Sequence, residues 1–155
     1  MTSSAIEVPK VQDNARYTAL TKELKQKHAE LLRLQAAGQL SQAKDSPVIA
    51  DYMMLMRLNC SQLFNFINGY LDVLTDLSQE LAQKRQTIYI EAIADGKTPS
   101  AAETHTKQMT RVDESVVKSV EYQIQQVRND YERYNGICLG LQSRLRELNT
   151  ERIVG

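Results

Sequence analysis

The sequence predicts an all-α fold: a long antiparallel helical hairpin of coiled-coil type with a shorter N-terminal helix. The 155 residues include only six glycines and three prolines, so few positions favour a break in a helix. Two long stretches carry apolar residues spaced alternately three and four apart, which is typical of a coiled-coil seam. The length corresponds to one domain. We expect residues 13–155 to form it, after a flexible arm of residues 1–12.

The first helix is expected over residues 13–37. Its periodic positions are Tyr17, Leu20, Leu24, His28, Leu31 and Leu34. Asp13 or Asn14 can cap its start, and Gly38 lies just past the last periodic residue, where a helix commonly ends. Because this helix is short and amphipathic, we expect it to pack on the open half of the hairpin or on another subunit.

We expect two helices to form the hairpin, over residues 47–95 and 99–152. The seam of the first of these keeps its spacing over five heptads, through Met53, Met56, Cys60, Leu63, Ile67, Tyr70, Leu74, Leu77, Leu81, Lys84 and Ile88. The other helix repeats the pattern with Val116, Val120, Ile124, Val127, Tyr131, Tyr134, Cys138, Leu141, Leu145 and Leu148. Matching seams predict that the two helices pack against each other.

The connection between the two long helices contains Gly96, which we expect to be the left-handed cap of the preceding helix. The next helix starts either at Thr98, with Pro99 in its first position, or at Ser100 with Glu103 in a capping box. A short connection makes the helices antiparallel neighbours, in which residues whose numbers sum to about 198 face each other.

Apolar residues beside the seam exceed what a two-stranded contact needs. They are Met54, Leu55, Leu58, Phe64, Phe66, Leu71, Val73, Ile137 and Leu139. Gly136 and Gly140 share one helix face, and each costs about 1 kcal/mol relative to Ala unless another helix approaches closely. We therefore expect self-association, with Gly136, Gly140, Phe64, Phe66 and Leu139 as candidate packing residues.

Charge and residue spacing exclude several function classes. The 19 basic and 19 acidic side chains give no net charge, which argues against a strongly basic nucleic-acid binder and leaves only a local patch. Neither His28 nor His105 lies in a metal-ligand pattern, and no glycine-rich phosphate loop occurs. We predict no metal, no cofactor and no enzymatic activity, since no acid–base or nucleophile set can be assembled.

The cysteines and the N-terminal stretch indicate the compartment in which we expect the protein. Cys60 and Cys138 are far apart in sequence, and no secretory signal precedes them, so we expect reduced thiols in the cytoplasm. The chain has no run of about 18 apolar residues, so no membrane span is expected.

A cluster of basic residues near the turn is the one candidate binding site. It comprises Lys84, Arg85, Lys97, Lys107 and Arg111, with Tyr89 available for base stacking; residues 84–111 hold five basic and three acidic side chains. Lys84 has a second interpretation, in which it fixes the register by pairing with Glu114 or Asp113 across the hairpin. The first interpretation predicts single-stranded DNA binding, and the second predicts a solvated face.

The order of these features resembles the UvsY-like recombination mediators of tailed phages. The matching segments are AQKRQTIYIEAIADGKTPSAAE and NDYERYNGICLGLQSRLRELNTERI, and the resemblance covers residues from about 50 to 153. It implies a ring-like homo-oligomer in the cytoplasm of a bacterial host, which binds single-stranded DNA, helps displace single-strand-binding protein and loads a recombinase. Lys84 and Arg85 match the family's DNA-contacting basic residues before the aromatic position.

Two alternative functions remain open, and neither depends on a resemblance to a known family. Neutral charge and surplus apolar surface are typical of a coiled-coil structural or assembly protein, such as a phage virion component or scaffold. A helical inhibitor that docks on a host enzyme has the same features. Both alternatives predict no DNA binding.

Overall fold

The structure, a computed structural model, describes residues 8–154 and is all-α, which confirms the predicted class. Its helices are α1 (Ala15–Ala36), α2 (Ser46–Ala94), α3 (Pro99–Met109) and α4 (Arg111–Val154), with single 3₁₀ turns at Val11–Asp13 and Ala43–Asp45. Residues 8–154 contain no strand. The first seven residues of the predicted flexible arm lie outside the described part of the chain.

The helix ends are set by side-chain caps and by glycines. The Asn14 side chain accepts hydrogen bonds from the backbone N–H groups of Arg16 and Tyr17, at 3.0 and 3.1 Å, and so starts α1. Gly38 and Gly96 follow α1 and α2 with φ of 71° and 92°, a left-handed conformation that glycine adopts without strain.

The start of α3 distinguishes the two predicted caps. The Thr98 hydroxyl accepts a hydrogen bond from the backbone N–H of Ala101 at 3.2 Å, and Pro99 is the first helical residue. Thr98 is therefore the cap, and Ser100 is already inside the helix.

The helix predicted over residues 99–152 is interrupted at Thr110, where α3 ends and α4 begins. The Thr110 hydroxyl donates to the carbonyl oxygen of Thr106 at 2.8 Å, and the Thr106 hydroxyl donates to that of Ala102 at 2.7 Å. Threonine hydroxyls that bond to the carbonyl four residues back bend a helix. Two such threonines in succession lie at this break, which apolar periodicity does not reveal.

The described chain forms two compact units. The three-helix unit comprises residues 11–67 and 126–154, and so contains α1, the first part of α2 and most of α4. The turn unit comprises residues 8–10 and 68–125, and so contains the rest of α2, the Gly96 turn, α3 and the start of α4.

In the three-helix unit, α1 packs on α2 and α4 of its own chain, the first of the two predicted alternatives. The ring of Tyr17 meets Phe66 edge-on, with centroids 5.4 Å apart, and its hydroxyl donates a hydrogen bond to the Asp130 carboxylate. Phe66 on α2 and Asp130 on α4 therefore both contact α1 at Tyr17. Most of the buried apolar side chains belong to this unit, among them Leu24, Leu31, Ile49, Met56, Leu63, Val127, Tyr134 and Leu148.

In the turn unit fewer side chains are buried, and several of these are small or polar. They are Leu81, Ala92, Ala102, Thr106, Thr110, Val120, Gln123 and Ile124. The seam residues Tyr70, Leu74, Leu77 and Ile88 are only half-buried. The Tyr70 hydroxyl donates to the carbonyl oxygen of Pro9 at 2.8 Å, so part of the predicted N-terminal arm is in contact with α2.

Candidate nucleic-acid interface

All six candidate DNA-binding residues belong to the turn unit. Lys84, Arg85 and Tyr89 lie on α2, and Lys97 lies directly after Gly96. Lys107 is in the last turn of α3, and Arg111 is the first residue of α4. The fold therefore keeps these residues within one compact unit, as their proximity in sequence suggests.

Lys84 and Arg85 are each held by a carboxylate across the hairpin. Lys84 Nζ lies 2.8 Å from Asp113 Oδ2, and an Arg85 terminal nitrogen lies 3.3 Å from Glu114 Oε2. Arg85 Nε also donates to the Thr110 hydroxyl at 3.1 Å. Of the two partners predicted for Lys84, Asp113 is the one observed.

These ion pairs remain open to water. The Lys84 and Asp113 side chains are 51% and 40% exposed, and those of Arg85 and Glu114 are 36% and 42% exposed. Exposed ion pairs contribute only about 0–1 kcal/mol to stability, because water screens the charges and ordering the side chains opposes pairing. A phosphate group can compete with these carboxylates at little energetic cost.

The other three cations extend further into solvent. Lys107 Nζ lies 3.6 Å from Glu103 Oε1, one helical turn earlier, and both side chains are about 70% exposed, at 71% and 67%. Lys97 and Arg111 are exposed, and neither has a carboxylate within 4.0 Å among residues 8–151. Lys97 and Arg111 are thus the two cations of the cluster that are free to meet an anion.

Tyr89 belongs to an exposed apolar stretch of α2. Tyr89 is 37% exposed, and its neighbours Ile90 and Ile93 are 58% and 39% exposed. Tyr89 and Ile93 are one turn apart, so they share a helix face. An exposed aromatic ring beside apolar side chains offers a surface on which a base can stack.

The candidate packing residues belong to the three-helix unit and differ in their surroundings. Phe66 contacts Tyr17 and is used within the chain. Phe64 is 48% exposed although its ring lies 5.8 Å from that of Tyr131, and Leu139 is 52% exposed.

Gly136 and Gly140 are exposed, and a Cβ atom added at either position would meet no atom within 4 Å. Gly140 lines a cleft of about 600 Å³ beside Leu32 and Ile137. The close helix approach predicted at these glycines is not made within the described chain, so it stays a prediction for a contact between chains.

The sequence analysis did not identify Thr110 as part of the cluster. It also did not predict that Asp113 pairs with Lys84 while Glu114 pairs with Arg85. Thr110 is buried and accepts a hydrogen bond from Arg85, so it links the cluster to the break between α3 and α4. The available signal was the four-residue spacing of Thr106 and Thr110, which is the spacing of hydroxyl-to-carbonyl bonds along a helix.

Two further classes of site are absent from the part of the chain that the structure describes. No group of three or more His, Cys, Asp or Glu side chains is arranged to hold a metal ion there. No helix in that part is long and apolar enough to span a membrane. Comparison of the chain with protein-family models, curated proteins and solved structures finds no match.

Proposed function

We propose that this protein is a non-enzymatic accessory protein of recombination that binds single-stranded DNA through its turn unit. In this proposal it works as a homo-oligomer, helps displace single-strand-binding protein and helps load a recombinase. The observation that carries the proposal is the exposure of Lys97 and Arg111, two cations with no carboxylate partner among residues 8–151, in the same unit as the exposed ring of Tyr89. Cations that follow a backbone and aromatic rings that stack on bases are the two elements of single-strand binding.

In this proposal Lys84 and Arg85 contact the strand only after their ion pairs with carboxylates open. Their ion pairs with Asp113 and Glu114 are exposed and weak, so the phosphates of a bound strand can take over both cations. Binding then releases counterions from the strand and weakens as salt rises. Because the carboxylates compete, we expect the affinity of one turn unit to be moderate.

Self-association would compensate for this moderate affinity. Several turn units in one oligomer would contact the same strand, and each further contact would form at high effective concentration. Exposed Phe64 and Leu139, together with the uncovered face at Gly136 and Gly140, support association between copies. The absence of net charge means that copies do not repel one another strongly.

Fluorescence anisotropy with a labelled single-stranded oligonucleotide tests the proposal. Wild-type protein is expected to bind at low salt and to lose affinity as salt rises. The double variant Lys97→Ala, Arg111→Ala should bind on the order of tenfold more weakly at low salt, because two phosphate contacts are removed. The matched control is Lys22→Ala, Lys25→Ala, which removes the same charge from exposed positions of α1 and should change the affinity by less than about twofold.

Two results would count against the proposal. Absence of binding even at low salt excludes the turn unit as a DNA-binding surface. Equal losses in the two double variants mean that overall charge, rather than the turn unit, governs binding.

An assembly protein without DNA binding is the second candidate function. The observation that favours it is the exposed apolar surface of α2 in the three-helix unit, where Met54, Leu55 and Leu58 are 68%, 47% and 60% exposed. This candidate predicts stable oligomers in light scattering and no change in oligonucleotide anisotropy at any salt concentration. Oligomers that also bind the oligonucleotide favour the first proposal.

A further inference from the structure

The two cysteines lie opposite each other in the three-helix unit. One turn before Cys60, Arg57 donates a hydrogen bond to the side chain of Gln142 on α4 at 3.0 Å. One turn after Cys60, the ring of Phe64 contacts that of Tyr131. These two contacts fix the antiparallel register of α2 and α4, and that register brings Cys60 against Cys138.

Both sulfurs are inside the packed core, and both thiols are free. Cys60 is 3% exposed and Cys138 is fully buried. The register of α2 and α4 places the two buried side chains next to each other, close enough for the Cys60 thiol to interact with the Cys138 sulfur.

The contact makes the two thiols chemically unequal. The interaction with the Cys60 thiol lowers the pKa of Cys138, helped by the positive charge of Arg57 and opposed by burial. The same interaction, together with burial, raises the pKa of Cys60. Cys138 is therefore the thiolate-forming partner, and the thiolate is the reactive form of cysteine.

We propose that Cys60 and Cys138 are a reversible redox pair, in which a small peroxide joins the two thiols in one disulfide between α2 and α4. The Cys138 thiolate attacks an oxygen of hydrogen peroxide, the O–O bond breaks, and the leaving hydroxide takes a proton to form water. Cys60 then attacks the sulfur of the resulting sulfenic acid. The S–S bond forms, the S–O bond breaks, and a second water leaves with the proton of Cys60.

The disulfide would close a loop that contains the Gly96 turn and residues 68–125 of the turn unit. Closing so long a loop restricts the unfolded chain strongly. We therefore expect the oxidised protein to melt on the order of 10 °C above the reduced protein. Reduction by a thiol should restore the original melting temperature.

The test is oxidation of the folded full-length protein with hydrogen peroxide, followed by intact mass spectrometry without reductant. The expected product is a monomer that has lost two hydrogen atoms, regains them with dithiothreitol, and shows the higher melting temperature only while oxidised. Peptide mapping should place the bond between Cys60 and Cys138.

Two single variants separate a redox pair from two independent thiols. Cys60→Ala removes both the resolving thiol and the interaction that lowers the pKa of Cys138, so peroxide should oxidise Cys138 more slowly than in the wild type and leave a sulfenic acid that a 1,3-dione reagent traps. Cys138→Ala leaves Cys60 with a pKa that burial alone still raises and without the nearby charge of Arg57, so trapping at Cys60 should be on the order of tenfold slower than at Cys138 in Cys60→Ala.

Failure of either variant to fold does not affect the wild-type measurement, which decides the proposal. Wild-type protein that keeps its helicity but gains oxygen atoms on each cysteine separately, forms only disulfides between chains, or stays reduced would overturn it. None of these results bears on DNA binding.

Discussion

Leu63 and Leu74 occupy equivalent seam positions on α2, three turns apart, yet they differ in burial. Leu63 is fully buried in the three-helix unit, and Leu74 is half-buried in the turn unit. The difference comes from α1, which packs on α2 and α4 in the three-helix unit. A seam with alternating three- and four-residue spacing shows where two helices meet, but the depth of burial depends on whether a third helix lies over the contact.

The two units also differ in what their contacts can do. Side chains from different helices interlock in the three-helix unit, as at Tyr17 with Phe66 and Asp130. Contacts across the turn unit rely partly on exposed ion pairs, which an anion can replace. We infer that the first arrangement stabilises the fold, and the second leaves a surface that is able to exchange partners.

The largest expected difference between the units is in the free energy of unfolding. Leu63→Ala removes a fully buried side chain and should lower it by about 3 kcal/mol. Leu74→Ala removes the same atoms from a half-buried position, where part of the space reverts to water, and should lower it by roughly 1 kcal/mol. Urea denaturation followed by circular dichroism, at one protein concentration, compares the two variants.

Equal losses of stability for the two variants would contradict the predicted difference between the two units. They would mean that Leu74 is covered as completely as Leu63 in solution, as contact with another copy of the chain would achieve. Repeating the denaturation of Leu74→Ala at several protein concentrations distinguishes that case, since burial between chains depends on concentration.

A smaller effect is expected from removing the carboxylates that hold Lys84 and Arg85. The double variant Asp113→Asn, Glu114→Gln frees both cations and should bind single-stranded DNA several times more tightly, with a free energy of unfolding within about 1 kcal/mol of wild type. The control Glu91→Gln, Glu121→Gln makes the same change in net charge at exposed positions of the turn unit.

Oligonucleotide anisotropy and urea denaturation measure the two effects separately. A gain in affinity that is the same in the control would show that only net charge matters. In that case Lys84 and Arg85 would serve the register of the hairpin rather than a bound strand.

Much of the fold could be predicted from local signals. The N-cap at Asn14, the left-handed glycines Gly38 and Gly96 and the seam spacing of α2 all act within a few residues, so the sequence carries them directly. The register that pairs Cys60 with Cys138 also followed, because a short turn fixes which residues meet.

The remaining features depend on groups that are distant in sequence. The partners of Tyr17 lie on two other helices, and nothing near Tyr17 identifies them. The basic cluster was predictable as a set of residues, but its pairing was not. Lys84 and Arg85 are adjacent in sequence, and which carboxylate each one meets depends on side-chain geometry across the hairpin.

Hydrogen exchange followed by mass spectrometry, with and without a single-stranded oligonucleotide, tests the contrast between the two units most directly. In the free protein, amides in residues 68–94 and 111–125 should exchange faster than those in residues 46–67 and 126–150, because fewer packed side chains hold the turn unit closed. Adding the oligonucleotide should slow exchange in the turn unit and leave the three-helix unit unchanged. Equal exchange rates in the free protein, or protection that appears only in the three-helix unit, would contradict the account.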